Sequence, residues 1–411
     1  MRRFVVLLLL ICCLAPPAFA LNAEPAPPQD PESFAFLYFG DIQVVESAEA
    51  DFAAWETLAR DALSRNPGIA FALQGGDIVE SGIDEAQWRA FFAAADRALG
   101  ELPFFPTNGN HESNFLGGKP ERYLELFDLP QNGPAGFPEE FYSFDYGNAH
   151  VLVLNSWIFS GEQNLTEADF AAIDAWIADD LAAACGATWR IAVTHVPIYA
   201  VHSDLTSDKA RAHWAPIFEK YGLDLCFVGH QHVYSRLKPL TDGAEDAADG
   251  VTYIMGNSGR KFYDSADESL AARTLYNAAT YQLVRVDGGA LTVQSFDAAG
   301  EEADFIALTP RGGKALTRGA FVAEFLPDAR LLGYGDGETG LDKTITNEQT
   351  ATLLWRKAGS PAAGGGEAAS PWARAAWAWA TAAGLFESAN PKDATSRALA
   401  AYNIHLLEVT E

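Results

Sequence analysis

Between residues 33 and 309 the chain alternates two kinds of segment. Short apolar runs at 34–39, 69–73, 104–106, 150–155, 190–194, 223–228 and 252–255 have the length and make-up of strands. Between several of them, residues 50–66, 84–99 and 166–184 repeat apolar positions at helical spacing. Thr166 with Asp169 forms a capping-box pair at the start of the third. Strands interleaved with amphipathic helices predict an α/β domain with parallel or mixed sheets. Residues 281–287, Gly288-Gly289 and 291–296 read as a hairpin. A further strand near 305–308 completes a sheet.

The pattern changes after 309. Residues 310–411 are rich in Ala, Trp recurs, and 361–371 carries three glycines at 364–366. A domain boundary is expected near 310–316. Leu316-Thr317-Arg318, Ile345-Thr346-Asn347 and Thr395-Ser396-Arg397 each precede an apolar, helix-like run, with the hydroxyl residue placed as an N-cap. That is a hint of internal repetition. Residues 333–337 read as a turn, and 372–383 as a helix ending at Gly384.

The N-terminus has Arg2 and Arg3, an apolar run over 4–14, and Ala18-Phe19-Ala20. This is the pattern of a signal peptide cleaved after residue 20. The expected location is therefore secreted or cell-surface. The run falls short of the roughly 20 apolar residues of a membrane span, and no later stretch is long enough. An uncleaved anchor is the alternative. Ile11 before Cys12 is unlike the small residue of lipoprotein signals. Residues 21–32, rich in Pro and Ala, read as an extended linker.

Composition narrows the function. The 411 residues carry a formal charge of −27, with 49% apolar and 12% aromatic residues, so a sizeable core is possible. Removing 1–20 takes away two arginines and leaves 26 basic against 55 acidic residues, a charge of −29. No nucleic-acid-binding surface is expected on such a chain. Chemistry on phosphate needs local positive charge, which metal ions can provide. Of the cysteines only Cys185 and Cys226 remain after cleavage. Export permits a disulfide between them, but two free, buried thiols is the preferred reading.

Five clusters carry chemistry: Gly40-Asp41-Ile42-Gln43, Gly76-Asp77-Ile78-Val79-Glu80, Gly109-Asn110-His111-Glu112, Thr194-His195-Val196-Pro197 and Gly229-His230-Gln231-His232. Each closely follows an apolar strand candidate, and the carboxyl ends of strands are where α/β sheets bind ligands. Carboxylate, amide and imidazole together suit Mn, Fe, Zn or Mg. Singly each cluster reads as an ordinary turn; five at strand ends point to one shared site. His202 is a candidate for the substrate pocket or a surface loop. Trp157, Phe159 and Tyr199 are candidates for its walls or for core, while His150, His213 and His405 read as structural.

These five motifs, in this order over residues 34–309, resemble the calcineurin-like metallophosphoesterases, and Gly229 to Arg236 with Tyr234 resembles their purple acid phosphatase branch. The resemblance implies a four-layer α-β-β-α sandwich over 33–309 around two divalent or trivalent metal ions, Fe, Mn or Zn. It implies that Asp41 and His232 bind the first metal, Asp77 bridges, and Asn110, His195 and His230 bind the second. His111 would contact the phosphate and protonate the leaving oxygen, with Glu80 orienting it. Two sequence departures stand out. Gln43 occupies the place of a ligand histidine, where its amide oxygen can ligate. Glu80 occupies the place of the tyrosine that gives the purple colour, so a colourless protein is expected. The implied activity is hydrolysis of a phosphate ester, mono- or diester, by hydroxide generated between the metals. A surface protein with an inactive phosphatase fold is the alternative, and Gln43 is its best support.

The C-terminal region, 314–411, is similar to S-layer homology modules, best over 333–359. Thr317-Arg318 keeps the Thr-Arg pair of that family, which becomes Thr346-Asn347 and Ser396-Arg397 later in the chain. The resemblance implies a small, mainly α domain that attaches to a cell-wall polymer. A helical domain merely packed on the enzyme is the other reading.

Overall fold

A computed structural model of the chain describes residues 24–113, 118–161, 163–312, 316–326, 341, 343–364, 368–386 and 389–410. The expected leader at 1–20 and the turn at 333–337 lie outside these residues.

The chain begins with β1 (Ser33–Phe39), α1 (Ala48–Arg65), β2 (Ile69–Gln74), α2 (Glu85–Leu99), β3 (Phe104–Pro106) and α3 (Glu121–Leu126). It continues through β4 (Phe141–Tyr146), β5 (Ala149–Leu154), α4 (Glu167–Ala183), β6 (Trp189–Thr194), α5 (Leu205–Lys220) and β7 (Leu225–Val228). Next come β8 (Tyr234–Leu237), a small ribbon of β9 (Leu240–Thr241) and β10 (Ala244–Glu245), β11 (Thr252–Met255) and β12 (Ala271–Leu275). The meander β13 (Thr280–Asp287), β14 (Ala290–Asp297) and β15 (Glu302–Leu308) follows.

These strands make two large sheets. One runs β15-β14-β13-β1-β2-β3, the other β12-β8-β11-β7-β6-β5-β4. β1, β2 and β3 are parallel to one another, as are β5, β6, β7 and β11. Strands covered on both faces need apolar side chains throughout, and β5, β6 and β7 are buried at every position.

The inner faces pack on each other. Tyr38 stacks on Phe227 at 4.3 Å and Phe105 on Phe144 at 4.2 Å, while the Tyr38 hydroxyl donates to Val228 O at 2.8 Å. α1 and α2 cover the outside of the first sheet, where Trp55 meets Phe39 and Phe91. α4 and α5 cover the second, with Ile173, Ile177, Trp214 and Phe218 against Leu152, Ala192 and Cys226. The result is the expected four-layer α-β-β-α sandwich, with helices C-terminal to it. The Thr166–Asp169 capping box is formed, Thr166 N donating to Asp169 Oδ2 at 2.8 Å.

Several elements escape the periodicity reading. β4, β8 and β12 are short and carry Asp, Ser and Arg, and their pairing is set by neighbours distant in sequence. α5 contains Pro216, which breaks a helical pattern on paper. The hairpin at 281–296 and the strand beyond it are present as β13, β14 and β15. Cys185 and Cys226 are both free, but only Cys226 is buried; Cys185, in the turn after α4, is partly exposed. His150 is structural, held between Asp145 (2.7 Å) and Asp180 (2.8 Å), and His213 pairs with Asp174 at 2.7 Å.

Beyond β15 lie α6 (Arg318–Phe325), α7 (Asn347–Lys357), α8 (Arg374–Ala382) and α9 (Arg397–Thr410). α8 starts two residues later than the pattern predicts. The three segments that suggested repetition form a closed ring of backbone hydrogen bonds. Leu316 N–H donates to Thr395 O (3.0 Å), Ile345 N–H to Leu316 O (3.0 Å), and Thr395 N–H to Ile345 O (2.9 Å). Thr317 and Ser396 each cap the following helix through the side-chain oxygen, at 3.1 and 3.2 Å. Buried Phe321, Leu354 and Ile404 of this region share one apolar cluster with Ile177 and Leu181 of α4. No described helix is long and apolar enough to cross a membrane.

Candidate metal centre

Five loops, each at the carboxyl end of a parallel strand, converge on one place. β1 delivers Asp41, β2 Asp77, β3 Asn110 and His111, β6 His195, and β7 His230 and His232. All of these are buried except His230, whose side chain is 22% exposed.

Asn110 Oδ1 lies 3.0 Å from His195 Nε2 and 2.9 Å from His230 Nδ1, and those two nitrogens are 3.2 Å apart. Asp77 Oδ2 is 3.3 Å from His195 Nε2. One ligand atom each from Asp77, His195 and His230 fits within 4.8 Å. His195 Nδ1–H donates to Gly75 O at 2.8 Å, so Nε2 is the nitrogen turned to the others and is bare whenever the ring is neutral. Carboxylate oxygen, amide oxygen and imidazole nitrogen thus face one another. Such a set fits a cation.

A second group adjoins it. Asp41 Oδ2 is 3.1 Å from His232 Nδ1, yet that nitrogen makes no hydrogen bond among the described residues. Such an acceptor and ring nitrogen, close together without a bond, fit a shared cation. The Gln43 amide nitrogen donates to Glu80 Oε2 at 2.7 Å and lies 2.9 Å from His111 Nε2, leaving its buried oxygen unpaired among the described residues.

The charges are mutually frustrated. Burial first, then neighbouring Asp77, pushes Asp41 up to about 8, against the pull of His195. Burial opposes the charge on Asp77 as well, but His195, His111 and His230 outweigh it and hold that carboxyl well below its usual range. His195 is pushed up to about 9, since Asp77 and Asp41 outweigh its burial. Burial, aided by Lys261, pushes His232 down to about 3. Two carboxylates so deeply buried need compensating positive charge.

The backbone is strained in the same place. Asp77 (φ 53°), His230 (φ 73°) and His232 (φ 44°) all take left-handed conformations, each costing a non-glycine residue about 1 kcal/mol or more. A Cβ at Gly109 would overlap the Asp77 carboxylate, and one at Gly229 the Asp41 carboxylate. These two glycines let the acids lie against the neighbouring loop.

Residues 34–234 match the family described as Calcineurin-like phosphoesterase. This stretch is similar to the calcineurin-like phosphoesterases. Among curated relatives, Purple acid phosphatase 18 of Arabidopsis thaliana is 23% identical over 214 residues, 48% of this chain and 47% of that protein. Fe(3+)-Zn(2+) purple acid phosphatase 12 of Arabidopsis thaliana is 20% identical over 44% of this chain and 39% of its own. Acid phosphatase type 7 of Mus musculus is 27% identical over 36% of each. The matches therefore span less than half the length of these relatives. The purple acid phosphatase PPD1 from yellow lupin (Lupinus luteus) seeds has the same fold, with a TM-score of 0.54 and 17% identity over 69% of this chain and 55% of that one.

Around the centre one expectation is refined and the flanking residues take their places. Glu80 orients His111 through its backbone carbonyl, which takes the Nδ1 proton at 2.7 Å; its carboxylate stands 3.5 Å away and binds Gln43 instead. Tyr234 and Arg236 do not face the site. Both hold Asp304 of β15, Arg236 with two bonds of 2.7 and 3.0 Å, and so clamp the two sheets together. Phe159 is core against Phe170 and Trp214, and Tyr199 packs on Tyr253. Trp157 does border the centre, its ring 6.1 Å from that of His230. His202 sits one ring further out, 5.1 Å from Tyr263, which is itself 5.1 Å from His232.

Sequence reading gave no role to two acids that matter here. Glu112, wholly buried, accepts the backbone N–H groups of Asp77, Ile78, Val79 and Gly109. Only its place inside the Gly-Asn-His-Glu cluster signalled it. Asp204 Oδ2 lies 3.2 Å from His230 Nε2, and a helix-capping position was its one visible mark.

Proposed function

We propose that this chain is an exported metal-dependent phosphoester hydrolase, acting on a phosphomonoester or phosphodiester at a dinuclear centre. The observation that carries the proposal is the convergence of Asp77, Asn110, His195 and His230 on one another through lone-pair atoms. These four would hold one ion. Asp41 and His232, with Asp77 shared and the unpaired Gln43 oxygen available, would hold the other. The oxygen and nitrogen donors suit Fe, Mn or Zn. Ions bound there would draw charge from the phosphoryl oxygens and make water acidic enough to deprotonate near neutral pH.

The protein's own part is positioning and proton delivery. His111 is fixed by Glu80 O, which leaves its Nε2, 3.7 Å from Asp77 Oδ2, as the atom facing the centre. With the Gln43 amide nitrogen 2.9 Å away, Nε2 accepts in the neutral ring; a proton carried there, with that amide turned to offer its oxygen, would be placed for the departing oxygen. Trp157 and Tyr263 would border the approach, and His202, packed on Tyr263, would line the substrate pocket.

The leader-like residues 1–20 support export, and the ring of three repeats supports a degenerate S-layer-type module that holds a cell-wall polymer. The competing reading, a surface protein with an inactive phosphatase fold, rests on Gln43, whose amide nitrogen is engaged by Glu80. Metal analysis of the purified full chain, with 4-nitrophenyl phosphate and its bis-ester as substrates, separates the two. Bound Fe, Mn or Zn together with turnover lost on chelation is expected. Full activity in metal-free protein, or no metal uptake at all, ends the proposal.

A further inference from the structure

We propose that Asp204 is the positioning residue that sets which nitrogen His230 offers to the centre. The inference rests on the metal-dependent reading above and adds to it a residue outside the five motifs.

His230 is the most exposed member of its ligand group, and its ring is held by residues of other loops. Its Nδ1 faces Asn110 Oδ1 at 2.9 Å and His195 Nε2 at 3.2 Å. Its other nitrogen, Nε2, faces Asp204 Oδ2 at 3.2 Å. A carboxylate can only accept, so the proton of a neutral His230 goes to Nε2 and Nδ1 is left bare toward the centre. His195 is fixed in the complementary sense by Gly75 O, which takes its Nδ1 proton. The two histidines thus present opposite nitrogens, each bared by an acceptor on its far side. A partner of this kind also makes the imidazole a stronger donor to a metal.

Asp204 does a second job with its other oxygen. Oδ1 accepts the N–H of Thr206 at 2.8 Å and caps α5. The loop before α5 is thereby tied to the helix by one oxygen and to His230 by the other. This division makes the inference testable, because asparagine caps a helix about as well as aspartate. In Asp204→Asn the amide oxygen keeps the cap, and the amide nitrogen, a donor, then faces His230 Nε2. The ring is pushed toward the tautomer with hydrogen on Nδ1, pointing into the centre.

The experiment is calorimetric titration of the metal-free full chain with Mn2+ or Zn2+, for wild type, Asp204→Asn and Asp204→Ser. Serine also caps but cannot reach His230. Both variants are expected to melt within about 2 °C of wild type without metal. One of the two binding steps should weaken about 10- to 100-fold while the other holds. Equal affinities in variant and wild type overturn the role of Asp204 and leave the hydrolase reading standing. A wild type that takes up no metal overturns both. A variant that loses both steps together with its melting transition assigns Asp204 to the fold alone and also overturns the inference.

Discussion

Replacing Glu112 with glutamine alters one atom in the middle of the site's scaffold. The native carboxylate is wholly buried, with Oε2 accepting from Asp77 N (2.9 Å) and Gly109 N (2.7 Å), and Oε1 from Ile78 N (2.8 Å) and Val79 N (3.3 Å). Four donors on two oxygens leave no place for an amide NH2. Whichever way the new amide turns, two backbone N–H groups lose their acceptor and meet another donor. At about 1–3 kcal/mol for each buried group left unpaired, the full range is about 2–6 kcal/mol. The amide will place its nitrogen toward Ile78 and Val79, where one bond is already long, so the lower half, about 2–4 kcal/mol, is expected. Urea unfolding of the metal-free chain, followed by tryptophan fluorescence, measures the loss. Metal titration of the folded Glu112→Gln variant should show weaker binding as well, because the native carboxylate holds Asp77 in its left-handed conformation. A loss under about 1 kcal/mol with unchanged metal affinity would refute the reasoning.

Other perturbations separate roles. Asp77→Asn should abolish both metal uptake and phosphoester turnover, whereas His111→Ala should keep metal and lose about 100-fold or more in rate; retention of rate by the second excludes it as the acid. Asp304→Ala should cost about 2–4 kcal/mol in urea unfolding by taking the carboxylate from Arg236 and the acceptor from the Tyr234 hydroxyl, without moving metal affinity. His150 is opposed by burial, but Asp145 and Asp180 outweigh it and push it up to about 9. Its contribution is therefore complete below the unfolded value near 6.5 and disappears as pH rises through about 9. The stability gap between wild type and His150→Gln, about 2–3 kcal/mol at pH 6, should close by about pH 10; a gap independent of pH contradicts the pairing.

Legibility in the sequence followed the range of the interactions concerned. β1, β2, β5 and β6 read correctly because strands buried on both faces must be apolar throughout, a property of the segment itself. β8 and β12 did not, because Arg236 and Arg273 are tolerated only through partners elsewhere in the sheet. The ligand set was legible as residue types after strands, since the fold places strand ends together. Its supporting acids were not. Glu112 acts through backbone N–H groups, which nearly every residue has, and Asp204 meets His230 across a gap of 26 positions that no spacing rule covers. Tyr234 and Arg236 show the converse: they stand next to the ligand motif in sequence, yet reach Asp304 of the other large sheet in space.

The ring that joins Leu316, Ile345 and Thr395 has a consequence for the order in which the molecule can assemble. In an open stack of repeats each unit can settle on the one before it. Here the first segment needs the third: Leu316 N–H has its acceptor only when Thr395 has been made, and so the ring closes last. The two large sheets have no such requirement, since their last strand ends at Leu308. During synthesis the sandwich can close while residues 316–357 still lack their partner. A chain broken between the sandwich and Thr395 would leave the Leu316 and Ile345 segments without their shared partner, making a late residue the latch of the ring.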